Sequence, residues 1–185
     1  NGIIPIRNEK NDWTKIVDGS KRDNLWEEYH DIKDLPQVIS PKSGFIYNAN
    51  HSPFKSTGSS ENPKEKNYSK TMNYETYDNN RSTRIRNLIN SYETIDYETF
   101  KQIKYDNKLP KPLNYNFLDI NVLWEIDPVK YPKLSDVILN IQNWDMATDS
   151  NSFGAANYAV LYYLLINNFK NIKHKKIFDK IEIID

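Results

Sequence analysis

The sequence predicts an α+β chain with a loop- and strand-rich first third followed by a mainly helical region. Three observations carry this. Pro36 and Pro41 preclude a long helix in the first 50 residues, where short apolar pieces are broken by turn residues. From His51 to Asn80 the chain is polar, with KSTGSSENPKEKNYSK at its heart and almost no aliphatic residue. After Asn80 the apolar residues recur at helical spacing. The 185 residues read as a single partial domain in three segments, 1–50, 51–80 and 81–185.

Taken in order, Gly44-Phe45-Ile46-Tyr47 has the bulky residues expected of a strand leaving a Ser-Gly turn. The polar segment 51–80 is a surface excursion of a length uncommon in compact domains, which points to a functional loop or to packing on further chain. Ile85, Leu88, Ile89 and Tyr92 fall at i, i+3, i+4 and i+7, the apolar face of a helix. A second helix carries Tyr97, Phe100 and Ile103, with Thr94 as its expected N-cap and Pro110 and Pro112 as its stop. Leu134, Val137, Ile138 and Ile141 mark a third, with Ser135-Asp136 near its start. Ala155 to Ile166 is apolar nearly all round, so it is expected to be the central helix that the others cover. The tail KNIKHKKIFDKIEIID fits helix or strand equally.

Composition removes several function classes. Twenty-five basic residues balance 25 acidic ones, so no general field attracts nucleic acid or anionic lipid. The absence of Cys excludes disulfide scaffolds, thiolate zinc sites and cysteine nucleophiles. His30, His51 and His174 are too scattered for a short-spaced metal-ligand pair, and the five glycines form no phosphate-cradling cluster. The longest uncharged apolar run, Phe153 to Phe169, is shorter than the roughly 20 residues of a spanning helix, so no membrane span is expected. NGIIPIRNEK lacks the basic start and apolar run of a signal peptide and is expected of a segment internal to a longer polypeptide. Asparagine, at 24 positions, is a bias that names no function by itself.

One segment is more particular than burial requires. Leu35-Pro36, Ser40-Pro41-Lys42-Ser43-Gly44, Phe45-Ile46, Asn48-Ala49-Asn50 and Pro53 follow one another within LPQVISPKSGFIYNANHSPF. This resembles the penicillin acylase family of N-terminal-nucleophile amide hydrolases, which includes penicillin, cephalosporin and acyl-homoserine-lactone acylases. GIIPIR, Trp26, the run NNRSTRIRNLI with the following FKQIKYDN, and Trp144-Asp145 with Asp149, Ser150 and Ser152 resemble further family segments in the family's order. Ser40 departs from the pattern, standing where the family usually has Asn, and the loop from Lys55 to Asn80 is longer than in penicillin-type members.

The resemblance implies that the chain is part of the large (β) subunit of an αββα N-terminal-nucleophile hydrolase. The nucleophile of that fold, an N-terminal Ser with its own amine as base, lies outside these residues. On this basis the chain alone is expected to be inactive, and its partners are the small subunit, the rest of the large subunit and a small acyl-amide substrate. By the motif, Asn50 contributes an oxyanion-hole donor and Arg81 orients Asn50 and substrate. His51 is assigned to the loop and not to base catalysis, and Asp145, Asp149 and Ser150 to capping the helix that begins near Ser152. No cofactor is required for catalysis. A structural calcium ion occurs in some members, for which Glu61 and a carbonyl near Val17 would supply only part of a site. The resemblance also implies a periplasmic or secreted protein. The competing reading is a non-catalytic binding or structural module, or a degenerate acylase.

Overall fold

The computed structural model describes residues 3–115 and 118–169. The chain divides into two compact units, Asn1–Thr94 with Asn114–Phe117, and Ile95–Leu113 with Leu118–Asp185. The tail from Lys170, including His174, on which the helix-or-strand expectation falls, lies outside the described residues.

In the first unit the expected strands do not form. The described residues contain only isolated bridges, Pro5 with Tyr29 here and Lys108 with Ala147 in the second unit. Gly44 to Tyr47 is irregular: Tyr47 donates one backbone bond to Ser56 O (2.9 Å), and no neighbouring segment continues a ladder. Side chains take the place of a partner strand. Thr57 donates its N–H to Asn62 Oδ1 (3.1 Å) and accepts at its carbonyl from Asn62 Nδ2 (3.1 Å), the two-point pairing that a strand neighbour would make. Thr57 Oγ1 in turn donates to Phe45 O (2.7 Å).

The polar segment 51–80 is more ordered than its composition suggests. It contains three 3-10 turns, Pro53–Lys55, Glu65–Asn67 and Lys70–Met72, and buries Met72. Ser52 and Ser69 cap the first and last of them. Phe54 packs edge-on against Tyr74 and tilted against Tyr68, giving the excursion a small apolar centre.

Helix α1 spans Asn80–Asn90, with Asn79 at its N-cap in a capping box with Ser82. It ends before Tyr92, so the last residue of the expected apolar face lies beyond the helix.

In the second unit, α2 (Tyr97–Lys104) is capped by Asp96, which accepts from Thr99 N (2.8 Å); Thr94 does not cap it. A carboxylate suits this place because it also complements the dipole of the first turn. Helix α3 (Ser135–Gln142) buries Ile138 and Ile141 and packs on α4 (Phe153–Phe169). The 3-10 turn Ile120–Trp124 closes the same core with Ile120 and Leu123. Here too an asparagine pairs with backbone at two points: Leu113 N donates to Asn121 Oδ1 (2.9 Å), and Asn121 Nδ2 donates to Leu113 O (2.8 Å).

Helix α4 spans the whole uncharged run Phe153–Phe169, beyond the Ala155 to Ile166 expected for the central helix, but lacks the expected burial. Tyr158 and Leu165 are buried, whereas Phe153, Val160, Tyr163 and Leu164 are exposed, so the described residues cover one side of it. Its N-cap is Ser152, whose Oγ accepts from Ala155 N (3.1 Å). Asp145, Asp149 and Ser150 do not cap it: Asp145 pairs with Lys108 (2.7 Å) and accepts from Ala147 N (3.0 Å), while Asp149 accepts from Asn107 Nδ2. No helix among the described residues is long and apolar enough to cross a membrane.

Gly154 sets the spacing of α4 against the end of α3. A Cβ there would lie 2.4 Å from Trp144 Cβ and 2.8 Å from Asn140 O, inside contact distance. Trp144 cannot give way, because its Nε1 donates to Ala147 O (2.7 Å) and its ring lies against Tyr158. Gly154→Ala is therefore expected to destabilise the protein by about 1–3 kcal/mol despite the better helix propensity of Ala. A urea midpoint equal to or above that of the wild type would show that the interface can relax.

Candidate active site

Asn48-Ala49-Asn50 forms a tight turn built by its own side chains. Asn48 Oδ1 accepts from Asn50 N (2.8 Å), an Asx turn, and Asn50 takes a left-handed backbone (φ 55°) that Asn tolerates better than most residues. Ala49 is buried and Asn50 exposed.

Arg81, on the first turn of α1, meets this turn directly. Its Nη2 donates to Ala49 O (2.9 Å) and to Asn50 Oδ1 (2.7 Å). A guanidinium can only donate, so the Asn50 amide must turn its oxygen toward Arg81 and its Nδ2 away. Among the described residues Asn50 Nδ2 makes no hydrogen bond. The two residues singled out in the sequence are thus in contact through the Arg81 bond to Asn50 Oδ1.

Two further groups hold the turn. Asn79 Nδ2 donates to Ala49 O (2.9 Å) and Asn50 O (3.0 Å), while its Oδ1 accepts from Ser82 N (2.8 Å). His51 is buried, with its ring stacked on Tyr47. His51 Nδ1 accepts from Ala49 N (3.1 Å), so the proton is on Nε2, which donates to Lys55 O (3.0 Å). Both ring nitrogens are engaged by backbone, and neither is open to act as a base.

Behind the turn lies Asp78, whose side chain is 6% exposed. It pairs with Arg86, stands 3.7 Å from Lys55 Nζ, and accepts from Ser82 Oγ (2.8 Å). Burial acts to raise its pKa. The bonds from Arg86 and Ser82 and the positive charges of Arg86 and Lys55 outweigh this, and the carboxyl is held below its ordinary value. Asp78, Lys55 and Arg86 line an open cleft with Lys42, Thr57 and Glu61. Neither Asn50 nor Arg81 is in that lining.

Glu61 accepts from Lys42 N and Ser43 N (2.7 Å) and so clamps the turn that ends at Gly44. Each of its two carboxylate oxygens accepts from one backbone donor. Among the described residues no group of three or more His, Cys, Asp or Glu could hold a metal ion.

The turn, the exposed Asn50 and the Arg81 bonded to it lie in a chain that the penicillin amidase family profile matches over residues 1–182. The chain belongs to the penicillin amidase family. Membership places it among acyl-amide hydrolases at that coarse level. No solved structure was found to match the chain.

The penicillin amidase resemblance carried by the sequence pointed to Asn50 and Arg81 but not to Asn79, His51 or Asp78 as their supports. For Asn79 a signal was present, since Asn-x-x-Ser before an apolar helix is a cap pattern. For Asp78 the signal was partial: Ser82 and Arg86 stand four and eight residues after it, at helical spacing, whereas Lys55, 23 residues before it, stands at no regular offset.

The depressed Asp78 pKa gives a pH prediction. Its stabilising contribution is fully present above the pKa of an unfolded Asp and is lost as pH falls through the lower folded value. Asp78→Asn leaves Arg86 half-buried without a charged partner while still accepting from Ser82, for a cost of about 3 kcal/mol at neutral pH. The gap between wild type and variant should shrink on acidification below the ordinary carboxylate range. A gap in urea stability that is constant from neutral pH to acid would refute the pairing as its source.

Proposed function

We propose that this chain is part of an amidohydrolase that cleaves a linear acyl amide, of the β-lactam side-chain or acyl-homoserine-lactone type. In this reading Asn50 supplies an oxyanion-hole donor. The observation that carries it is the Arg81 bond to Asn50 Oδ1, which leaves Asn50 Nδ2 exposed and without a partner among the described residues.

The reaction needs such a donor. The hydroxyl of an N-terminal Ser, supplied by residues outside this chain, adds to the amide carbon, and the carbonyl electron pair moves onto oxygen. A donor fixed before the reaction stabilises that charge without reorganising when it forms. The α-amino group takes the hydroxyl proton and passes it to the departing amine, and water then releases the acyl group from the Ser. Asn50 suits the donor role because it does not titrate, and Arg81 suits the orienting role because its charge is permanent. Neither step draws on a metal or cofactor. The small subunit and the remainder of the large subunit complete the site, in a periplasmic or secreted protein.

The test is hydrolysis of a panel of acyl amides by the complete protein, including β-lactam side-chain amides and acyl-homoserine lactones. Asn50→Ala is expected to lower kcat by roughly 100 to 1,000-fold with folding intact. No hydrolysis of any panel member would favour the binding-module reading, and unchanged turnover in Asn50→Ala would remove this residue from the site.

A further inference from the structure

We propose that Asn79 is a positioning residue for this hydrolysis, holding the Asn50 donor in place by tying its turn to the first turn of α1. The inference rests on the reading of Asn50 as the oxyanion donor and adds a residue to it.

The Asn79 amide is used at both ends. Oδ1 closes the capping box with Ser82 N, and Nδ2 is shared between the carbonyls of Ala49 and Asn50. The second set of bonds plays no part in capping. They join two segments about thirty residues apart in sequence, the one that carries Asn50 and the one that carries Arg81.

Ala49 O also accepts from Arg81 Nη2, so both of its lone pairs are filled from the start of α1. Arg81 reaches Asn50 Oδ1 only while that helix start stays docked on the turn. The bond from Asn79 to Asn50 O further fixes the peptide plane that follows Asn50, a residue in a left-handed conformation that a free loop would leave readily. Oxyanion donors act over tolerances well under 1 Å, so loosening this tether lowers turnover with every reacting group still present.

The plainer account is that Asn79 only caps α1, and the choice of substitution separates the two. Ser caps a helix about as well as Asn. Its short hydroxyl, engaged with Ser82 N, does not reach the carbonyls of Ala49 and Asn50. Asn79→Ser gives up two neutral hydrogen bonds, so its thermal midpoint should fall by no more than about 8 °C and leave the protein folded at assay temperature, while kcat on a chromogenic acyl nitroanilide falls by about 10 to 100-fold, with KM changing less than about 2-fold. Asn79→Asp keeps the size and the cap and replaces the donor by an acceptor, so it should lose kcat to the same degree.

A double-mutant cycle supplies the readout that a structural role would not move. In the Asn50→Ala background, Asn79→Ser should have no further effect on kcat, because the donor it positions is gone. Wild-type kcat in Asn79→Ser, with Asn50→Ala still impaired, overturns the inference and leaves the reading of Asn50 standing. A full additional loss in the double variant also overturns it, since Asn79 would then act independently of Asn50. Wild-type kcat in Asn50→Ala overturns the reading itself and this inference with it.

Discussion

A peptide group that is withdrawn from water and has no ladder partner must be met by something else, and most of this molecule follows from that constraint. With isolated bridges in place of strands, side chains complete the backbone bonding. The planar amide of asparagine is well suited to this, since it presents a donor and an acceptor side by side, as a neighbouring peptide does. Asn62 pairs with Thr57 in this way and Asn121 with Leu113, while Asn114 serves the first unit by donating its side-chain amide to Asp78 O (3.2 Å) and its backbone N–H to Asn80 Oδ1 (2.6 Å). For Asn62 and Asn121, two of the 24 asparagines, this substitute for strand pairing is the role that composition alone did not name.

The same constraint shapes the site. The turn that carries Asn50 is folded by Asn48, moored by Asn79, clipped by His51 and backed by the Asp78 and Arg86 pair. Each contact is modest, about 1 kcal/mol for a neutral hydrogen bond. Together they restrain one exposed amide from several directions. Support from side chains instead of a sheet makes the turn sensitive to single substitutions that a ladder would absorb.

What the sequence made legible was set by the range of the interaction involved. The uncharged apolar run Phe153 to Phe169 coincides with α4, and local periodicity found the apolar residues of α1 and α3. Cap choice was less accessible, because Thr94 and Asp96 are both good caps and two residues apart, and the dipole of α2 favours the carboxylate. The strand expected at Gly44 to Tyr47 failed because bulky residues record a propensity and not the presence of a partner. Motif order brought Asn50 and Arg81 forward; of the Asp78 cluster, Ser82 and Arg86 follow at helical spacing, but Lys55, 23 residues before it, could be joined to them only in three dimensions. The unexpected exposure along α4 has a similar origin, since an all-round apolar sequence says that a helix is to be covered and not which chain covers it.

The left-handed backbone at Asn50 has an evolutionary corollary. Few residues sit comfortably there, with Gly and Asn foremost, so under the proposed oxyanion role the conformational and chemical demands on the position nearly coincide. A lineage that abandoned the chemistry but kept the loop would slide most easily to Gly, which preserves the turn and discards the donor. In a set of relatives, Gly at this one position, with Arg81 and Asn79 still present, would be the mark of a retired enzyme whose fold is still under selection.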